Sequence, residues 1–402
     1  MSNRILPVNH GLLTWAREQA GLSLRDAAVR AKIAPLKTRG EHPGMNAEER
    51  LLSWETGVAS PSFKQLESLA RAYRRPVLTF FLPSVPVKES SLADFRTVPG
   101  RDASSGTPEF SAFMRRVEWL QEGLRELVEQ EGRLPLAFVG AVSPEVPAQD
   151  VAWRIRKTLD MPFEVQRRLP GKDALFRLLR GKVQELGVFV LVEGDLGSSH
   201  SRISPEEFRG IAICDVLAPL IVVNANDSKS AQLFSLVHEL AHVWIGASGV
   251  SNYDSLHHET GLSQASTEEY CNAVAAEFLV PEVDLREAVS LVEGQDPLEM
   301  AQTLARMFKV SPMVVARRCK DVGVLNGKEY WGVFQALKTI WEGQQKRVRP
   351  NEGGPSRNVL DRYRLGERVI STILAAANDG RLSLRDASRM LRVKVDRLGR
   401  IA

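Results

Sequence analysis

The 402-residue chain has few cysteines and few histidines, three of the first and seven of the second. Cys214, Cys271 and Cys319 share no Cys-x-x-Cys spacing, which leaves no disulfide framework to build. No signal-peptide pattern precedes them, so the expected setting is a reducing cytoplasm. No run of 18 apolar residues occurs either, and nothing in the sequence reads as a membrane span. An excess of one charge is also lacking overall, since 53 Lys and Arg face 49 Asp and Glu. That near balance hides a segregation. Residues 1–90 carry a net +5, residues 346–402 a net +8, and residues 91–345 a net −9. Basic ends around an acidic middle assign any nucleic-acid contact to the ends, although solvated basic helix faces would give the same pattern.

Against that scarcity, two of the seven histidines stand four residues apart in His238-Glu239-Leu240-Ala241-His242. On a helix, positions i and i+4 share a face, so both imidazoles can reach one Zn²⁺ at about 2.0–2.1 Å. The intervening carboxylate, Glu239, is then placed to take a proton from the attacking water. Leu233, Phe234, Leu236, Val237, Leu240 and Val243 make this a buried helix, with Asp227 or Ser228 as its cap and Gly246 as its stop. Two satisfied core histidines would be the bland alternative, but histidine is too rare here for a chance match to be common.

A catalytic zinc needs a third protein ligand and an open position. The third histidine of an extended HExxHxxGxxH pattern is missing, and Ser248 holds its place. The next candidates are in the segment from Ser266 to Pro281, which reads as a helix capped at Ser266. Glu269 sits at capping-box spacing from Ser266. Glu268 shares a face with Cys271, Asn272, Ala275 and Leu279, and small Ala275 and Ala276 would let this helix approach the first one closely. Glu268 is therefore the preferred ligand. His257 and His258 lie in a polar stretch between the two helices, either as solvated loop or as a substrate or oxyanion contact. Cys271 reads as a small packing residue.

These spaced motifs resemble the ImmA/IrrE family of metallopeptidases. The resemblance rests on Pro219 to Asn224, on Phe234 to His242, and on Glu268-x-x-x-Asn272-x-x-Ala275-Ala276-x-x-Leu279-x-Pro281, within residues 170–325. It implies a gluzincin-like core in which His238, His242 and Glu268 hold Zn²⁺ and Glu239 is the general base. It also implies a specific protein substrate, often a repressor, cut at one site.

The N-terminal segment carries its own pattern. Leu12-Leu13-x-x-Ala16 opens an amphipathic helix that Gly21 ends, and Ser23 caps a second helix through Leu24-Arg25-Asp26-Ala27-Ala28. Leu51-Leu52-x-Trp54-Glu55-x-Gly57 and Leu66-x-x-Leu69-Ala70-x-x-Tyr73 follow. This order resembles the XRE (Cro/C1-type) helix-turn-helix family, which places one helix in the major groove. The resemblance would make Arg25, Arg50 and Lys64 DNA contacts. Residues 34–45 lengthen the turn before the presumed recognition helix, which is capped at Asn46 and presents Glu48, Glu49 and Arg50. Two carboxylates near a reading end repel phosphates.

The expected architecture is mainly α with a small β-sheet (α+β). It comprises an XRE-like domain over 1–81, a linker over 82–106, a helical connector over 107–165, the zinc core over 166–345 and a basic helical region over 346–402. Phe110, Phe113, Val117, Leu120 and Leu124 stripe one helix, as core or as a homodimer seam. Short strands are expected at 186–192, 210–214 and 219–224. A helix-turn-helix-like pair over 304–318 is assigned to the core. In the tail, Ser383-Leu384-Arg385-Asp386-Ala387 nearly repeats Ser23-Leu24-Arg25-Asp26-Ala27, either as a second DNA element or as a packing device. The leading expectation is a zinc endopeptidase acting on a partner protein. The rival is a DNA-binding repressor, or the antitoxin of a cognate toxin, whose zinc core is a binding platform.

Overall fold

A computed structural model describes residues 8–36, 44–85, 107–198, 201–251, 264–345 and 356–401. The protein is mainly α-helical with one small sheet. It divides into two compact units, Met1–Trp119 with Asp195–Ile203, and Leu120–Gly194 with Ser204–Ala402. Among the described residues no helix is long and apolar enough to cross a membrane.

The first unit is built on α1 (His10–Gln19), α2 (Leu24–Arg30), α3 (Ala47–Glu55) and α4 (Phe63–Ala72), followed by a 3-10 turn over Val77–Phe81. Its caps follow local chemistry. Ser23 accepts from the Asp26 N–H, and Asn46 and Glu49 form a reciprocal capping box with both bonds at 2.9 Å. Leu12, Leu13, Leu51, Trp54, Leu66 and Leu69 form the core. Within it the buried Glu55 carboxylate takes two hydrogen bonds from Arg17, at 2.8 and 3.0 Å, which compensates its loss of water. An antiparallel bridge pairs Leu36 with Met45 ahead of α3.

The division between units falls within α5 (Pro108–Gln130). The second unit continues with α6 (Ala148–Thr158), α7 (Phe163–Arg168), α8 (Lys172–Glu185) and strand β1 (Phe189–Glu193). Strands β2 (Gly210–Ile213) and β3 (Leu220–Asn224) precede α9 (Lys229–Ile245) and β4 (Gly249–Ser251). The sheet order is β1-β3-β2-β4, with β1 parallel to β3 and the other pairs antiparallel. Every residue of β1, β2 and β3 is buried, so these strands read as continuous apolar runs rather than alternating ones. Helix α9 lies on β2 and β3 and contacts α8 and α10 (Gln264–Leu279).

Four helices follow, α11 (Glu282–Ser290), α12 (Pro297–Phe308), α13 (Pro312–Asp321) and α14 (Gly327–Gln345). The C-terminal helices are α15 (Arg357–Leu365), α16 (Glu367–Asn378), α17 (Leu384–Leu391) and α18 (Leu398–Ile401). Helices α15 and α16 pack on β1 and cover that edge of the sheet. The repeated Ser-Leu-Arg-Asp-Ala motif makes the same cap twice. Ser383 accepts from the Asp386 N–H at 3.0 Å, as Ser23 does from Asp26 at 3.1 Å.

Candidate metal centre

Helix α9 is built to be buried on all sides. Each residue from Gln232 to Trp244 is buried, including His238, Glu239 and His242. Ser228 caps it by accepting from the Ala231 N–H, and Gly246 ends it in the left-handed region at φ 71°. A side chain at Gly246 would also meet the Gly140 Cα at 2.9 Å, so the stop is steric as well as conformational. The segment before α6 closes that end of the helix. Gly140 and Val142 donate to the Val243 and Trp244 carbonyls, and Phe138 stacks on Trp244 at 4.4 Å.

Helix α10 begins at Gln264, so Ser266 lies inside it and is not its cap. The expected capping box between Ser266 and Glu269 is therefore absent, and Glu269 is simply an exposed helical residue. Glu268 faces α9 instead. Its Oε2 lies 3.1 Å from His238 Nε2, and its Oε1 lies 3.2 Å from His242 Nε2. The two imidazole Nε2 atoms are themselves 3.1 Å apart. Buried Ala275 and Cys271 allow this close approach of α10 to α9. Tyr270 anchors α10 on the other side by donating to the Val146 carbonyl at 2.7 Å, and α6 packs along the same helix.

Among the described residues these three form a group able to hold a metal ion. Tetrahedral zinc with bonds of about 2.0–2.1 Å puts its ligand atoms about 3.3–3.4 Å apart, close to the 3.1–3.2 Å seen here. The tautomers suit the same role. His242 Nδ1 lies 2.9 Å from the Ala247 carbonyl, so a proton there leaves Nε2 as a lone-pair donor. Burial disfavours the charged form of His242, but hydrogen bonds that its ring donates to the Cys271 sulfur and the Glu268 carboxylate, with the nearby Cys271 and Glu239 charges, raise its pKa well above the ordinary value. Burial likewise opposes the Glu268 carboxylate, and its hydrogen bonds with His238 and His242 overcome this and hold it well below the usual carboxylate range. An ionised carboxylate between two imidazoles is the donor set a divalent cation would take over from protons.

Glu239 is fully buried beside this group. The residue packed on it is Gly210, at the start of β2. A Cβ there would fall 2.1 Å from Glu239 Oε1, so the strand backbone itself forms the wall behind the carboxylate. In the sequence Gly210 reads only as the start of a short strand, and a glycine opening an apolar run is the one local signal of this contact. Cys214, which the sequence marks only as one of three cysteines without Cys-x-x-Cys spacing, also touches α9: its thiol donates to the His242 carbonyl at 3.3 Å while its N–H donates to Ser248. Asn224, at the end of β3, is buried and hydrogen-bonds the Phe208 carbonyl and the Asn226 N–H.

The remaining expected site residues are not part of this group as described. His257 and His258 lie outside the described residues. Arg25 and Lys64 are exposed on the first unit. Arg50 donates to the Ala34 carbonyl at 2.7 Å and lies over the Trp54 ring, so its guanidinium is occupied within its own unit.

Comparison with known proteins agrees with this geometry over part of the chain. Residues 184–320 match the family model of the M78 peptidases, described as the IrrE N-terminal-like domain. That span contains His238, Glu239, His242 and Glu268. The M78 family is a metallopeptidase family. A search of the curated proteins finds no match to the chain.

Proposed function

We propose that the chain is a zinc-dependent metalloendopeptidase that cuts a specific protein, a repressor by family resemblance, and thereby acts as a transcriptional regulator. The N-terminal helices would dock it on DNA or on its partner, in the manner of an XRE module. The observation that carries the catalytic reading is the convergence of three donor side chains, two imidazole Nε2 atoms 3.1 Å apart and each within 3.2 Å of a Glu268 carboxylate oxygen, with a buried carboxylate on the next residue of the same helix. His238, His242 and Glu268 would hold the ion. When bound, zinc supplies a Lewis acid that polarises the scissile carbonyl and makes water more acidic. Glu239 then accepts a proton from the attacking water and passes it to the leaving amine. Its burial against the Gly210 backbone holds that carboxylate in place through both transfers. The Ala247 carbonyl fixes the His242 ring.

Glu239→Gln tests this directly, because it keeps shape and hydrogen bonding while removing the base. Cells expressing the parent should accumulate new protein N-termini in one partner, detected by terminal-amine mass spectrometry. With Glu239→Gln the same cleavage should fall at least a few hundredfold, about 3–4 kcal/mol of barrier, while zinc content is unchanged. Undiminished regulation by Glu239→Gln would sink the enzyme reading and leave a zinc-bearing repressor or antitoxin.

A further inference from the structure

The first unit contains a cavity of about 660 Å³, open to solvent, that the catalytic reading does not use. Four of its lining residues are arginines, Arg30, Arg71, Arg74 and Arg75, and a single carboxylate, Glu109, faces them. The remaining wall is apolar, from Ala70, Ala72, Ala112 and Leu196. Arg25, Arg50 and Lys64, which the helix-turn-helix resemblance assigns to DNA, are not among its lining residues.

The arginines are arranged rather than scattered. Arg30 and Arg71 sit in the last turns of α2 and α4, where the helix dipole favours a cation. Arg74 stands in the left-handed region at φ 52°, and its carbonyl accepts from Arg115 at 2.9 Å. Arg75 lies over the Trp15 ring at 4.5 Å. Glu109 is shared between Arg30 at 3.4 Å and Arg74 at 3.5 Å, both at the long limit of a hydrogen bond. The side chains of Arg30 and Arg74 are 42% and 41% exposed, so these contacts are weak and easily exchanged. Four guanidinium groups thus line the cavity with one carboxylate. Guanidinium forks match phosphoryl oxygens in pairs, and the volume falls in the range of about 300–1,000 Å³ that small-molecule sites occupy.

We propose that this cavity binds a small anion carrying two adjoining phosphoryl groups, of the size of a nucleoside diphosphate. The phosphoryl oxygens engage Arg30 and Arg74 in place of Glu109, and the apolar wall receives the rest of the ligand. The site stands independently of the zinc centre.

Isothermal titration of the full-length protein with ADP, and separately with inorganic pyrophosphate, tests it. Both should bind saturably at one site per chain, with ADP the tighter. Arg30→Ala and Arg74→Ala should each weaken binding at least tenfold, and raising salt should weaken the parent. Glu109→Gln should tighten binding several-fold, because it removes the competing carboxylate; a merely structural role for these residues would not give that sign. Unliganded melting temperatures of the three variants report whether the fold is intact. Absence of saturable binding by either probe would overturn the proposal. So would parental affinity in both arginine variants, or binding through these arginines of duplex DNA alone.

Discussion

Glu268 and Glu269 are neighbours in sequence and differ in surroundings, which makes them a sharp test of the metal centre. Glu268 touches both imidazoles, whereas Glu269 points away and is exposed. His238→Ala, His242→Ala and Glu268→Ala should each reduce bound zinc sharply, measured as metal per chain after dialysis. Glu269→Ala should retain zinc and shift stability by no more than about 0.5 kcal/mol, since it holds no cap at this helix position. Equal loss of metal in both glutamate variants would contradict the assignment. The cysteines allow a pH test of burial at the same scale. Burial pushes the thiols of Cys214 and Cys319 up to about 11 and raises that of Cys271 as well. A raised thiol pKa keeps the protonated, unreactive form through neutral pH. The native protein should therefore react slowly with a disulfide reagent at pH 8, faster as pH climbs toward 11, and through all three thiols once unfolded. A cysteine that reacts rapidly in the native protein at pH 8 would show that its surroundings are not those described.

Strand β2 and helix α9 meet at Gly210, and there the packing of elements decides the chemistry. Gly210→Ala places a methyl group on the Glu239 carboxylate, so either the strand or that carboxylate must shift. Overpacking of this kind costs about 1–3 kcal/mol. The variant should lower the melting temperature and reduce cleavage at least tenfold while binding zinc normally, because none of the three metal donors is displaced. Zinc loss as the main effect would place the strain elsewhere. How much of this was legible in the sequence depends on the range of the signal. The α9 helix announced itself, since the i, i+4 histidines, the apolar flanks, Ser228 and Gly246 are all local features. The α+β character was legible from the apolar runs that became β1, β2 and β3. The start of α10 was misplaced, because Ser266 looks like a cap only when the two helical residues before it are unknown. The Gly210 contact, the Tyr270 hydrogen bond to Val146 and the Ala247 carbonyl on His242 depend on tertiary approach, and no local pattern encodes them.

Within the second unit, the segregation of charge along the chain acquires a structural reason. Several arginines of the basic C-terminal helices are turned onto acidic partners upstream rather than outward. Arg364 and Arg392 both pair with Glu193, whose carboxylate is almost fully buried at the end of β1. Arg381 pairs with Glu131 at 3.3 Å, and Arg397 holds Asp361 at 3.0 Å inside the tail itself. From the other side, Arg180 reaches the β1 edge at the Val190 carbonyl at 2.7 Å and also the Tyr363 carbonyl; burial lowers its pKa to about 10, still charged at neutral pH. Tyr363 in turn accepts from Lys229 at 2.8 Å in the first turn of α9, so the tail touches the helix that carries the histidines. This arrangement separates the two roles that the tail's composition allowed. A DNA-contacting arm could be removed and leave a stable peptidase. A packing element could not, because deletion would strip the counter-ions from Glu193, expose β1 and leave Val190 and its neighbours open to pairing with other chains. Deleting residues 346–402 should therefore give insoluble or unfolded protein, and Arg364→Ala alone should cost about 3 kcal/mol by removing a close counter-ion from the buried Glu193 carboxylate, read as a shift in the urea midpoint. A truncated chain that stays folded and zinc-loaded would return the tail to the role of a separate arm.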